Sequence, residues 1–365
     1  MNKLIPVSLF ACVTFLLSAC GGSSSSLTAY NSELNSAASE AIDQSIIPAA
    51  SRFQRQVSEL VTTSDMFCES GNTTEENLTA LQEQWKASNQ AWFQLLPYRF
   101  GPLVNSELFP TYTFIDSYRL RGTNYTSTVR NKIDSLLADN NEIDEATISN
   151  LSFQFVGLLA LEISVFEDAA NHSTTPANIV SEYLANPRKC QLLTGFSKEL
   201  LRRADIISAG WNTDYRNTGK SYRDLLVNNQ LEVLLDDETG EAAIEKITVS
   251  VQEFYDYLGL RDLTIDVSQL SGDIWQALGS SLTNTEELLA GTEATNISFN
   301  RIMKNNRFEQ TVTLLQDNMQ TLKIALDEKN TVDMKAAAKI LDGNFKREIP
   351  EALDISLGLN FSDGD

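Results

Sequence analysis

The chain has 365 residues, which is room for two domains of ordinary size. Its 49 acidic residues against 28 basic ones leave a formal charge of −21, which argues against nucleic acid and against an anionic membrane surface as partners. A soluble body or a cationic ligand fits that charge, but acidic surfaces are too common for it to say more.

The first stretch, MNKLIPVSLFACVTFLLSAC, has Lys3, an apolar core and then Leu17-Ser18-Ala19-Cys20. This is the pattern of a bacterial lipoprotein signal: residues 1–19 are removed and the Cys20 thiol is acylated. Gly21-Gly22 and Ser23 to Ser26 read as a flexible tether, so residues 20–27 are set apart from the fold. Gly21, not Asp, follows the cysteine, which favours the periplasmic face of the outer membrane of a Gram-negative bacterium. The membrane is then reached through the lipid alone. Cys12 leaves with the signal and Cys20 takes lipid, so Cys68 and Cys190 are left. In an oxidising compartment they suggest one disulfide; two free buried thiols are the alternative.

After the tether the pattern is helical, with apolar residues at a period of 3.6 and no convincing alternation. Ile46, Ala50, Phe53, Val57 and Leu60 share a stripe over 32–67, with a kink expected at Pro48. Thr73 and Glu76 read as a capping box opening a helix to about Leu96, with Trp85 and Trp92 on its inner face. Pro97 to Pro102 cannot be regular helix. Helices are then predicted over 126–138, 146–167 and 189–211, with a short one before Pro187. In the second half they are predicted over 220–235, 240–258, 298–327 and 331–341. The stretch 259–291 reads as loop with short turns around Trp275. The fold class is therefore all-α: two four-helix-bundle-like halves, 28–212 and 213–365, packed with a cleft between them.

One acid stands out. In FQFVGLLALEISVFED, residues 153–168, Glu162 shares a helical face with Phe155, Leu158, Leu159, Val165 and Phe166. A carboxylate on a buried stripe must be paired, metal-bound or protonated. It is either a core acid satisfied by an arginine or a backbone N–H, or a site residue. The opposite face carries Gly157, Ala160 and Ser164, where another backbone could approach closely.

Four pieces in order, Trp85-Lys86-Ala87…Ala91-Trp92, Arg99-Phe100-Gly101-Pro102, Gly157…Glu162 and the terminal Leu357-Gly358-Leu359-Asn360-Phe361-Ser362-Asp363-Gly364-Asp365, resemble the imelysin family. Its members are bacterial periplasmic lipoproteins, also called insulin-cleaving membrane protease proteins. The resemblance covers essentially the whole chain after the signal. It implies two helical bundles with a cleft where they meet, and a relation to the helical domain of a bacterial iron-uptake component. The family motif is Gly-x-His-x-x-Glu, proposed to bind a metal. Here Gly157 and Glu162 match it, but the histidine position is Leu159, which cannot ligate anything. The only histidine, His172, lies ten residues past Glu162 in a loop. No His-Glu-x-x-His pattern is present either.

The candidate ligand-binding residues are Glu162, Gly157, Arg99, Trp92, Gly101, Pro102, Asp116 and Asp363. Arg99, in a rigid turn, could pair with Glu162 or an anion. Trp92 could wall the cleft or pack in the core. Asp116 matches a family position near the cleft, or starts a helix as a cap. The leading reading is a non-enzymatic binding lipoprotein linked to iron uptake, which holds a small ligand, a metal complex or an envelope protein in the cleft. The alternative is a metallopeptidase or iron-binding protein using Glu162 with Asp116 or Asp363, on hard oxygen donors that suit iron or another divalent metal. A third reading is an envelope scaffold. Glu162 is expected to be buried where the bundles meet and satisfied by Arg99 or a backbone donor.

Overall fold

The computed structural model describes residues 23–104, 109–117, 124–139, 141–235, 242–263, 268–291 and 297–357. Cys20 and Asp363 lie outside them, as does the acidic run Asp236-Asp237-Glu238. Among the described residues there is no strand, and no helix is long and apolar enough to cross a membrane.

In chain order the helices are α1 (Ser23–Ala41), α2 (Ile47–Cys68), α3 (Glu75–Leu95), α4 (Thr126–Ala138), α5 (Glu145–Ser149), α6 (Gly157–Phe166), α7 (Pro176–Ala185) and α8 (Arg188–Asn212). Then come α9 (Tyr222–Val227), α10 (Leu231–Leu234), α11 (Ala243–Leu260), α12 (Ile274–Ala290), α13 (Phe299–Asn305), α14 (Glu309–Asp327), α15 (Thr331–Gly343) and α16 (Ile349–Ala352). Helices α2, α3, α6 and α8 pack into one bundle, and α11, α12, α14 and α15 into another. In α2 the buried positions Ala50, Phe53, Val57, Leu60, Ser64 and Phe67 recur at three and four residues, so one stripe faces the core. At the α2–α8 contact the hydroxyls of Ser64 and Ser197 meet at 3.0 Å, so two small residues bring the helices close. Each fully buried Leu or Phe on such a stripe contributes roughly 1.5–3 kcal/mol.

Cys68, at the end of α2, is disulfide-bonded to Cys190 in the first turn of α8, with Cα atoms 5.6 Å apart. The bond closes 122 residues of sequence, a constraint on the unfolded chain of about 5 kcal/mol by chain entropy.

Several boundaries differ from the sequence reading. The first helix begins at Ser23, so part of the expected tether is helical. At Pro48 the chain does not simply bend. A π turn, Ile42–Ile46, widens the helix just before it, and the Ile47 N–H reaches the Ile42 carbonyl. Proline lacks an N–H and its ring crowds the carbonyl four residues back, so a wider turn relieves the clash. The same device recurs near the other end, where a π turn, Asn344–Glu348, precedes Ile349-Pro350. Thr74, not Thr73, caps α3 by accepting from the Asn77 N–H. The helix predicted over 146–167 is three pieces: α5, a 3₁₀ turn Phe153–Phe155 and α6. Residues 259–291, read as mostly loop, contain the 17-residue helix α12. Its buried face includes Ser281, Asn284 and Thr285, which dilute the apolar signal.

The two bundles are interlocked along the chain. Helix α1 packs on α11 and α13 of the second bundle. The Tyr30 hydroxyl donates to the Leu353 carbonyl at 2.5 Å and accepts from Asn306 Nδ2 at 2.9 Å. Helix α12, in turn, packs on α3 of the first bundle as well as on α14.

Candidate functional site

Helix α6 is placed by its first residue. Gly157 has φ +81°, and a Cβ there would sit 2.4 Å from the Ile115 carbonyl oxygen and 2.5 Å from that of Phe114. Only glycine tolerates both the left-handed backbone and the approach. The Leu158 N–H donates to the Ile115 carbonyl at 2.9 Å. Gly157 therefore acts on the backbone, by seating α6 against residues 114–115.

Glu162, five residues on, is 2% exposed. Its Oε1 accepts the Ser271 N–H at 2.9 Å and the Ser271 hydroxyl at 2.8 Å. Burial pushes its carboxyl up to about 7; the Ser271 donors and the Leu270 N–H hold it down, and Asp273 adds to the rise. Ser271 belongs to the turn before α12, so the acid of the first bundle is tied to the second. The Ser271 hydroxyl also accepts the Asp273 N–H. Asp273, itself buried, takes Asn89 Nδ2 at 2.9 Å and Gln90 Nε2 at 2.7 Å from α3. Burial raises its carboxyl too. Two desolvated carboxyls, both held by neutral donors, thus mark the seam.

A cleft of about 490 Å³ opens over Glu162. Leu159 and Glu162 line it from α6, Gln269 and Leu270 from the turn before α12, and Thr126, Ser127 and Arg130 from α4. Arg130 is clamped from behind: Nε and Nη2 donate to the two oxygens of Glu167, each at 2.6 Å. The Glu167 side chain is 1% exposed. His172 Nδ1 is 3.5 Å from Glu167, so the lone histidine belongs to that pair and does not line the cleft over Glu162.

The other predicted site residues lie elsewhere. Arg99 is 3.7 Å from Glu253 of α11 and stacks over Tyr112. It is not the partner of Glu162; the backbone N–H and hydroxyl of Ser271 are. Trp92 is fully buried beside Phe53, and its indole N–H donates to Asp116 Oδ2 at 3.3 Å. Gly101 has φ +54°, and a Cβ there would strike the Tyr222 ring at 2.5 Å. Pro102 packs on Gly210 of α8. These residues fasten the turn after α3 to its neighbours and do not line the cleft. The reading of the sequence missed Arg130 and Ser271. Thr126, Ser127 and Arg130, at i, i+1 and i+4 of one helix, were the legible signal of a polar face.

A metal fits poorly here. Zinc takes four donors from cysteine, histidine and carboxylate. Leu159 offers none, and one Glu162 oxygen already takes two hydrogen bonds from Ser271. Among the described residues no three His, Cys, Asp or Glu side chains converge to hold an ion.

The architecture and the seam define an all-α, two-bundle protein with a buried acid where the bundles meet. The imelysin family model, named Peptidase M75, matches residues 46–264, more than half of the chain. The chain belongs to the imelysin family. Its fold is similar to the crystal structure of an imelysin-like protein from Psychrobacter arcticum 273-4, with a TM-score of 0.64 over 90% of this chain and 98% of that one. The two sequences are 16% identical, so this likeness speaks for fold alone. No curated protein matches the chain.

Proposed function

We propose that the chain is a lipid-anchored envelope protein that holds a small organic ligand, and not a metal ion, in the cleft over Glu162. The anchor is the acylated Cys20, at the periplasmic face of the outer membrane. One observation carries the reading: Leu159 and Glu162, at the family's two ligand positions, line the same cleft, yet one is an aliphatic wall and the other is bound by Ser271. A cleft of about 490 Å³, part apolar and part polar, is in the range of small-molecule sites. The action is binding, with no step of catalysis.

The test uses the mature domain without its lipid. Elemental analysis and titration with zinc, manganese and ferrous ion are expected to give no stoichiometric metal. A panel of small bacterial metabolites is expected to contain one that raises the thermal midpoint of the wild type but not of Leu159→Trp, which fills the cleft. A stoichiometric ion that disappears in Glu162→Gln overturns the reading.

A further inference from the structure

Arg130 lines the cleft, but its guanidinium has two edges. Glu167 occupies one of them, the Nε–Nη2 edge, through two parallel bonds of 2.6 Å. Nη1, with two N–H groups, is left outside that pair. Among the described residues Arg130 makes no ion pair other than the one with Glu167. A guanidinium fixed on one edge by a buried carboxylate is pre-organised on the other, because its side-chain freedom is already lost. Two hydroxyls stand beside it: Thr126 and Ser127 lie one turn earlier on α4, and both line the same cleft. Helix α4 also begins there. Its first N–H, that of Thr126, donates to Asn124 Oδ1 at 2.9 Å, and Asn124 lines the same rim.

We propose that the cleft binds a small carboxylic acid, whose carboxylate is taken by the free edge of Arg130 and the hydroxyls of Thr126 and Ser127, with its apolar part against Leu159. This rests on the cleft being the binding site and names the class of ligand. Planar carboxylate matches a guanidinium edge in a way that an amine or a neutral amide does not. The formal charge of −21 opposes an anion at long range. At physiological ionic strength that field is screened beyond about 8 Å, so the donors within the cleft decide. Glu167 is here a positioning residue: it holds Arg130 and does not meet the ligand.

Calorimetric titration of the mature domain tests this, with succinate and butyrate as carboxylate probes, succinamide as the neutral one and putrescine as the cation. Succinate and butyrate are expected to bind, and succinamide and putrescine not. Arg130→Lys, which keeps a charge for Glu167 but loses the fork, should weaken binding about tenfold or more. Thr126→Val, away from the buried pair, should weaken it several-fold with an unchanged unfolding midpoint, which guards against a folding defect in the arginine variant. Leu159→Trp should abolish binding. If succinamide or putrescine binds in place of the acids and Leu159→Trp removes that binding, the carboxylate assignment fails while the cleft survives. If no probe binds and the metabolite panel also leaves Leu159→Trp and wild type alike, both fail.

Discussion

Glu162 and Glu167 lie five residues apart, one within α6 and one just past its end, and both are about 2% exposed. Glu162 accepts from the Ser271 N–H and hydroxyl, and among the described residues it makes no ion pair. Glu167 is gripped by Arg130 through two charge-assisted bonds, with His172 at 3.5 Å. Burying a charge costs free energy in both cases. An ion pair offsets that cost by attraction. Neutral donors offset it in part, and the acid answers by holding its proton to about pH 7. The same residue type is therefore held by a cation at one place and by neutral donors at the other.

Removing one side of each pair separates these two roles. Arg130→Met leaves Glu167 buried without its partner and should cost about 3–5 kcal/mol, read from urea unfolding at pH 7.5. A loss below about 1 kcal/mol would mean that the pair is not holding the buried charge. Glu167→Gln leaves the charge on Arg130, which is partly exposed at 27%, so a smaller loss of about 2–3 kcal/mol is expected in the same assay.

Glu162→Gln should go the other way. The folded carboxyl titrates near 7 and the unfolded one near the ordinary 4.5. The folded state thus binds the proton more tightly. Its stabilising contribution is complete below pH 4.5, is lost as the pH rises to 7, and is flat above that. The difference is worth roughly 3 kcal/mol. Glutamine keeps an acceptor for Ser271 and carries no charge, so the variant should equal the wild type near pH 5 and exceed it by about 1–3 kcal/mol at pH 8. A variant less stable at both values would show that the carboxylate is held better than its burial implies. Ser271→Ala, the mildest change, removes one donor and keeps the N–H. It should cost about 1–2 kcal/mol at pH 8 and little at pH 5, with the Glu162 titration displaced upward in a carboxyl-resolved NMR series.

The odd position of Glu162 was legible in the sequence, because a lone acid on an aliphatic stripe breaks the pattern that makes the helix. Its partner was not. Ser271 is 109 residues away in a turn without periodic signal, and the helix it precedes buries Ser281, Asn284 and Thr285 in place of aliphatic residues. Arg99 was the wrong donor for a related reason: its neighbourhood of proline and glycine marks a rigid turn but not the direction of the side chain. Periodicity ends α4 at Ala138, as the structure does, but it gives no sign of the role of Arg130, because an arginine on an amphipathic helix looks solvated until a buried acid is found behind it. The all-helical class and the disulfide, by contrast, follow from periodicity and from counting cysteines. Both are local or arithmetic properties of the chain.

The π turn at Ile42–Ile46 has a consequence for the order in which the molecule assembles. One extra residue in a helix rotates its apolar stripe by on the order of 100°. Helix α1 therefore faces the second bundle while α2, continuous with it, faces the first. The contact that closes α1, from Tyr30 to Leu353, spans 323 residues of sequence. Loop closure grows only logarithmically costly with length, so stability suffers little. Folding time suffers more, since contacts of long sequence separation form late. The first bundle can collapse from contiguous helices, whereas the second cannot close on α1 until the last helices exist. The earliest segment of the chain is thus among the last to find its place.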